Sequence, residues 1–260
     1  MKYGFIGCGN MGGAIAKALS KSTTDIMLSD PLAAEKLSLE LQCKSGNNES
    51  VVTNCSYIFL AVKPQILTSV LQPLQPLLRV HKPIIISMAA GVEMAKIEAL
   101  CGCKLPIIRI MPNTPVTVGK GMITYCFNEL VVKENLNEFL TDMQFAGRLD
   151  AIPEKLIDAA SALAGCGPAF MYMFLEALAD GAVACGLSRA AAISYAAATM
   201  AGAAEMVMQT HSHPGELKDA VCSPGGSTIE GVKTLEESGF RGAVIDCIIA
   251  AYKRNCELGK

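Results

Sequence analysis

Gly7, Gly9 and Gly12 stand in Lys2-Tyr3-Gly4-Phe5-Ile6-Gly7-Cys8-Gly9-Asn10-Met11-Gly12, an apolar strand running straight into a G-x-G-x-x-G turn. An alanine-rich helical run follows, to Ser20. In that pattern the first glycine allows the tight turn and the second lets backbone approach a pyrophosphate. The third lets helix and strand pack closely while the helix N-terminus faces the anion. A strand–helix turn without a ligand would use the same glycines. Strand, turn and helix in this order favour a dinucleotide site. Asp30 stands about 20 residues further on, where an acidic side chain reads the adenosine ribose. Its carboxylate facing the ribose would favour NAD, whereas Ser29 facing it would tolerate a 2′-phosphate. Asp30 could equally cap the helix after Pro31. Lys63, at the strand end Ala61-Val62-Lys63-Pro64, fits both a cofactor contact and a solvated lysine. A second glycine loop, Ser223-Pro224-Gly225-Gly226-Ser227-Thr228, offers backbone N–H groups and two hydroxyls at a helix start. It reads either as a small-anion receptor or as simple N-capping by Ser227 or Thr228.

These residues need a scaffold that brings strand ends together. Apolar runs at 2–7, 25–30, 57–62, 84–88 and 105–111 alternate with helical stretches, among them 12–20 and 33–42. Buried continuous strands separated by helices predict a mostly parallel sheet covered on both faces, with ligands bound outside the strands' carboxyl ends. Ile123 to Phe127 is expected as a last strand and Lys133 to Ala146 as a surface helix. From Glu154 the pattern is helical. One helix is expected to be interrupted at Gly165-Cys166-Gly167-Pro168 and to resume to Cys185, and Ser188 to cap another from Arg189 to Gln209. The expected architecture is therefore an α/β Rossmann-type domain over residues 1–152 followed by an all-α dimerisation and substrate domain over 153–260.

The chain has 260 residues, a net charge of −2 and 51% apolar residues with no Trp. Neither nucleic acid nor an anionic membrane surface is an expected partner. The first residues lack the pattern of a signal peptide, and no run is read as a membrane span. The expectation is a soluble cytosolic protein. Eleven scattered cysteines do not make a paired framework and are expected to be reduced and mostly buried. The three histidines and the single Cys101-Gly102-Cys103 pair predict no metal site.

Taken together, several segments resemble pyrroline-5-carboxylate reductase. They are Gly7 to Met11, Ala61 to Pro64, Met111-Pro112-Asn113-Thr114-Pro115, Ala164 to Ala169, Glu176 to Gly181, and Leu217 through Thr228. The resemblance runs through essentially the whole chain. It implies hydride transfer from NADPH or NADH to C5 of a cyclic imine, 1-pyrroline-5-carboxylate, giving L-proline. It also implies that Ile6, Gly7, Cys8, Gly9, Asn10 and Met11 hold the pyrophosphate, and that Ser29, Asp30 and Asn48 lie at the adenosine end. Ala61, Val62, Lys63, Pro64, Met88, Ala89 and Ala90 would line the nicotinamide side. Ser223, Gly225, Gly226, Ser227 and Thr228 would hold the substrate carboxylate, with Thr228 as the catalytic hydrogen-bond partner or proton donor to the ring nitrogen. A protonated imine is already electrophilic, so alignment matters more than a strong acid. A homodimer is implied, with interleaved C-terminal helices and loop 223–228 completing a cleft at the interface.

The chain departs from that pattern in three places. Ala220 stands where a polar residue often follows Lys-Asp, and His211 where some relatives place Glu. Ser29-Asp30 replaces an Asn-Arg pair suited to a 2′-phosphate, which leaves the choice between NADH and NADPH open. Another imine or β-hydroxyacid reductase of the same Rossmann group would carry a Lys on the long helix from Pro168 to Cys185. That helix has Glu176 and Asp180 instead. An NAD(P)H-sensing regulator would need a partner-binding or DNA-binding module, and no basic patch supplies one.

Overall fold

A computed structural model describes residues 1–258. It divides into two compact units, one of Met1–Pro168 with the described chain from Ala251 onward, the other Ala169–Ala250.

The first unit is built on an eight-stranded sheet. Its strands are β1 (Tyr3–Ile6), β2 (Ile26–Ser29), β3 (Lys44–Ser45), β4 (Tyr57–Leu60), β5 (Ile84–Ser87), β6 (Ile107–Met111), β7 (Gly121–Phe127) and β8 (Gly147–Ala151). Their order is β3-β2-β1-β4-β5-β6-β7-β8. All neighbours are parallel except β6 and β7. The reversal between β2 and β4 on either side of β1 makes the topological switch point, so a crevice opens at the carboxyl end of β1. The helices are α1 (Asn10–Leu19), α2 (Ala34–Leu41), α3 (Asn48–Asn54), α4 (Leu67–Leu71), α5 (Gln75–His81), α6 (Met94–Cys101), α7 (Lys133–Asp142) and α8 (Ile157–Ala160).

Strand alternation sends side chains to two apolar layers. On one face Phe5, Phe59, Ile86 and Ile108 pack with Ile15, Leu19 and Phe139, and Phe5 stacks on Phe59 at 4.4 Å. On the other, Ile6, Ile58, Leu60, Ile85 and Ile107 pack with Val51, Leu71, Leu78 and Ile97. Both faces are covered, which is why these strands read as continuous apolar runs.

Two strands were not expected. β3 is two exposed residues, and β8 is a half-exposed edge strand, Gly147-Arg148-Leu149-Asp150-Ala151. Both are held by ladder hydrogen bonds rather than by burial, so neither leaves an apolar run. The expected helix 133–146 is α-helical only to Asp142 and ends in a 3₁₀ turn, Met143–Ala146.

The expected break at Gly165–Pro168 is instead a π-type turn, Ser161–Gly165, that feeds directly into α9 (Gly167–Ala184). Cys166 N–H donates to Ser161 O, five residues back, at 3.1 Å. Pro168 has no N–H to offer Ala164 O, and that carbonyl accepts from Asn113 Nδ2 at 2.9 Å. Asn113 Oδ1 accepts from Met122 N–H at 2.9 Å. One asparagine thus ties the β6–β7 connection to the helical run, and it uses the carbonyl freed by the proline.

The helices continue as α10 (Arg189–Thr210), α11 (Pro214–Ala220), α12 (Ser227–Glu237) and α13 (Phe240–Leu258). Ser188 Oγ accepts from Ala191 N–H at 3.3 Å, the expected N-cap. Within the second unit Phe174 packs against Phe240 at 5.6 Å and Arg189 pairs with Asp180. Much apolar surface of this unit is exposed in the single chain, including Tyr172, Met173, Tyr195 and Ile245.

Two expectations are corrected here. The stretches Glu154–Ala184 and Arg189–Thr210 are long and apolar enough to cross a membrane by length and composition, with mean hydropathies of 1.4 and 1.2. The sequence masked the first because Gly165–Pro168 looks like a break but is helical. The cysteines are also not mostly buried. Cys8, Cys55, Cys101 and Cys126 are buried, Cys185 is exposed and the other six are intermediate.

Candidate active site and cofactor turn

Gly7 closes β1 with φ +99°, and a β-carbon on it would lie 2.6 Å from Ala61 O. Gly7 N–H donates to Ser29 O at 2.8 Å, so the turn is fixed to β2. At Gly12 a β-carbon would meet Gly7 O at 2.4 Å and Ala61 Cβ at 2.8 Å, which is the close strand–helix approach the third glycine serves. Gly9 differs. It is the N-cap of α1, without a side-chain cap, and among the described residues nothing beyond its chain neighbours lies within 4 Å of where its β-carbon would be. The first N–H groups of α1 have no intrahelical acceptor and open onto that space. A backbone cradle kept clear at Gly9, with a helix dipole behind it, fits a dinucleotide pyrophosphate. Ile6 and Cys8 are buried beneath the turn, whereas Asn10 is exposed and Met11 half-buried.

Asp30 both caps and braces. Its Oδ1 accepts from Leu32 N–H and Ala33 N–H, each at 2.9 Å, and its Oδ2 from Cys8 N–H at 2.8 Å. Partial burial pushes its pKa up, but the three backbone donors outweigh that and hold the carboxyl below its ordinary value. Ser29 is buried, and its Oγ donates to Asn48 Oδ1 at 2.6 Å, which brings together two residues expected at the adenosine end. Cys8 is the neutral partner in this corner. Burial first, and the Asp30 charge second, push its thiol up to about 12. Cys8 should therefore resist iodoacetamide at pH 8 in the folded protein, although it lies in the cofactor turn. Peptide mass spectrometry of native and denatured samples checks this, and rapid native labelling would mean that the turn opens.

Ala61 to Pro64, at the end of β4, and Met88 to Ala90, at the end of β5, lie on the same carboxyl edge of the sheet as the glycine turn. Ala89 is buried, and Ala61, Val62, Pro64, Met88 and Ala90 are half-buried. Lys63 is exposed at the start of a 3₁₀ turn and, among the described residues, its ammonium has no ion-pair partner. A cavity of about 450 Å³ beside the glycine turn is lined by Cys8, Gly9, Asn10, Lys17 and Lys36 among others. A larger one, about 720 Å³, lies at the amino ends of the strands against Lys2, Tyr57, His81 and Glu138. Parallel sheets bind ligands at the opposite edge, so the smaller cavity is the relevant one.

In the second unit, Gly225 has φ +67° and Gly226 N–H donates to Ser223 O at 3.0 Å. Gly226 is itself the N-cap of α12, with no side-chain cap. Among the described residues neither the Ser227 nor the Thr228 hydroxyl has a hydrogen-bond partner, so simple capping does not account for them. His211 ends α10 in the left-handed conformation (φ 55°), and Ala220 ends α11.

Sequence reading passed over Arg109. This side chain is 1% exposed on β6 and pairs with Glu154 Oε1 at 3.2 Å and Asp158 Oδ1 at 3.1 Å. Glu154 Oε1 also accepts from Met94 N–H at 2.7 Å. The available signal was an arginine inside an apolar strand with two carboxylates spaced i, i+4 further along.

Comparison with known proteins gives two family matches. A model described as pyrroline-5-carboxylate reductase dimerisation covers residues 154–258, and one described as NADP oxidoreductase, coenzyme F420-dependent, covers residues 2–91. The pyrroline-5-carboxylate reductase of Escherichia coli K12 is 40% identical over 266 residues, spanning 100% of this chain and 98% of that protein. The Synechocystis enzyme of the same name is 39% identical over 270 residues, with 100% and 99% covered. Among solved structures, Plasmodium falciparum pyrroline carboxylate reductase with NADP bound superposes with a TM-score of 0.91 at 32% identity. That match covers 100% of this chain and 98% of the other.

Proposed function

The chain belongs to the pyrroline-5-carboxylate reductase family, and on that premise we propose how its residues serve the reaction. The protein is an oxidoreductase that reduces the C=N bond of 1-pyrroline-5-carboxylate to L-proline with NAD(P)H, the last step of proline biosynthesis. The observation that carries this is the end-to-end match to curated reductases, joined to a glycine cradle left open at Gly9.

When bound, the nicotinamide cofactor supplies the hydride. The residues of this chain bind and align. The N–H groups at the start of α1, over Gly9 to Met11, hold the pyrophosphate, and Ile6, Gly7 and Cys8 support that turn from below. Ser29, Asp30 and Asn48 meet the adenosine ribose. Ala61 to Pro64 and Met88 to Ala90 pack the nicotinamide side and exclude water there. Backbone N–H groups of loop 223–228 hold the substrate carboxylate, and Thr228 Oγ1 hydrogen-bonds the ring nitrogen. The functional boundary falls at 152/153, just after β8 and before the family match at 154. The helical region matches a dimerisation domain, and the working assembly is a homodimer or a larger homo-oligomer in the cytoplasm. The apolar faces of the long helices would be covered there, which accounts for their hydropathy without a membrane.

Oxidation of NADH or NADPH on addition of racemic pyrroline-5-carboxylate tests the reading, and no turnover with either cofactor would overturn it. Thr228→Ala should lower kcat/KM by about tenfold, the scale of one neutral hydrogen bond. Its melting temperature should not change, because Thr228 is exposed and its hydroxyl has no hydrogen-bond partner among the described residues. The pH profile should keep its shape, and a lost limb would instead make Thr228 the proton donor.

A further inference from the structure

We propose that Asp30 makes this enzyme select NADH over NADPH, by fixing an ionised carboxylate where a 2′-phosphate would have to sit. The proposal rests on the dinucleotide reading above and adds a cofactor choice that the family membership leaves open.

Three observations carry it. First, the position. Asp30 directly follows β2, the strand hydrogen-bonded to β1, and in this fold the residue there faces the adenosine ribose. Second, the carboxylate cannot turn away. Its two oxygens hold Cys8, Leu32 and Ala33 N–H groups at 2.8–2.9 Å, so rotating it would strand three backbone donors, one of them inside the glycine turn. Oδ1 is used twice and Oδ2 once, so Oδ2 retains a lone pair, enough to accept from a ribose 2′-hydroxyl.

Third, no cation answers it. A cavity of about 300 Å³ beside Asp30 is completed by Glu35, Ser45 and Gly46 among others, and no Lys or Arg lines it. Lys17 lines the neighbouring cavity and pairs with Glu40 at 2.7 Å. Lys36 lines the same neighbouring cavity and, among the described residues, forms no ion pair. A 2′-phosphate at Asp30 would bring a dianion against a fixed carboxylate, with Glu35 nearby. A 2′-hydroxyl would gain an acceptor.

The test is direct binding to the full-length protein, by titration of NADH and NADPH against the fluorescence of the reduced nicotinamide. Competition by AMP and by 2′-phosphorylated AMP supplies a readout that is independent of turnover. NADH should bind at least about tenfold more tightly than NADPH, the scale of one like-charge contact in a partly exposed site. The gap should narrow as salt is raised, because the penalty is electrostatic. Asp30→Asn keeps one acceptor for Leu32 and Ala33 and removes the charge, so it should bring the two affinities within about threefold. Asp30→Ser, which keeps a short hydroxyl cap, should do the same if Asp30→Asn folds poorly, with thermal melts as the control.

NADPH binding as tightly as NADH to the native protein would overturn the proposal and leave the family function intact. Tight NADPH binding that is lost in Lys36→Gln would do the same and name Lys36 as the phosphate ligand. Failure to bind either nucleotide would overturn the dinucleotide reading, and the proposal with it.

Discussion

Gly12→Ala and Gly9→Ala will both weaken dinucleotide binding by about a hundredfold or more, some 2.7 kcal/mol, but only Gly12→Ala will also destabilise the fold. The difference comes from what each new methyl group meets. At Gly12 the β-carbon would lie 2.4 Å from Gly7 O and 2.8 Å from Ala61 Cβ, both set by backbone that the sheet holds in place. Helix α1 must move off the sheet, and the N–H groups of its first turn leave their aim. That overpacking should cost about 1–3 kcal/mol of stability. At Gly9 the backbone is at φ −65°, which any residue adopts, and among the described residues nothing beyond its chain neighbours lies within 4 Å of the new atom. Alanine there should leave thermal stability unchanged within about 0.5 kcal/mol. The methyl group would still occupy the space a pyrophosphate needs. Nicotinamide-fluorescence titrations beside thermal melts of the two variants separate the effects. Gly9→Ala binding NADH like the native protein would show that the diphosphate does not lie on this turn.

Much of this arrangement was legible in the sequence because burial on both faces turns a parallel strand into an unbroken apolar run. β1, β2, β4, β5 and β6 all read that way, and the glycine turn follows the first of them. β3 and β8 were illegible for the same reason inverted. Lys44-Ser45 and Gly147–Ala151 lie at the two edges of the sheet, where hydrogen bonds hold a strand whose side chains face water. The run Glu154–Ala184 misled differently. Glycine and proline at 165–168 predict a break, yet a π-type turn carries the helix through, because Asn113 takes up the carbonyl that Pro168 cannot serve. That partner is about fifty residues away, so no local pattern announces it. Asp30 was undecidable from sequence on the same ground. Whether it caps, braces or reads a ribose depends on Cys8 N–H, which only the folded turn brings to it. The position of Thr228 was readable, but the absence of any capping bond at its hydroxyl was not.

Arg109 will be the most consequential charge in the first unit, and its loss and the loss of its partners will not be equivalent. The guanidinium is buried at the end of the sheet that receives the helical run from Glu154, and Glu154 and Asp158 are each a little over a quarter exposed. Removing both carboxylates, as Glu154→Ala with Asp158→Ala, leaves a buried cation with no counter-ion and also frees Met94 N–H. That should cost about 3–5 kcal/mol. Arg109→Met removes the cation and roughly conserves volume. The two carboxylates can then turn to water, and the buried Nε, which has no hydrogen-bond partner among the described residues, is gone as well. Its cost should be about 1–2 kcal/mol, the remainder of a charge network whose desolvation offsets most of its attraction. Chemical unfolding at one fixed protomer concentration measures both, since an oligomer's apparent stability depends on concentration. If Arg109→Met proves as damaging as the double alanine variant, the network stabilises the chain through pairing that exceeds its desolvation. The buried arginine would then be a net anchor for the start of the helical region rather than a balanced one.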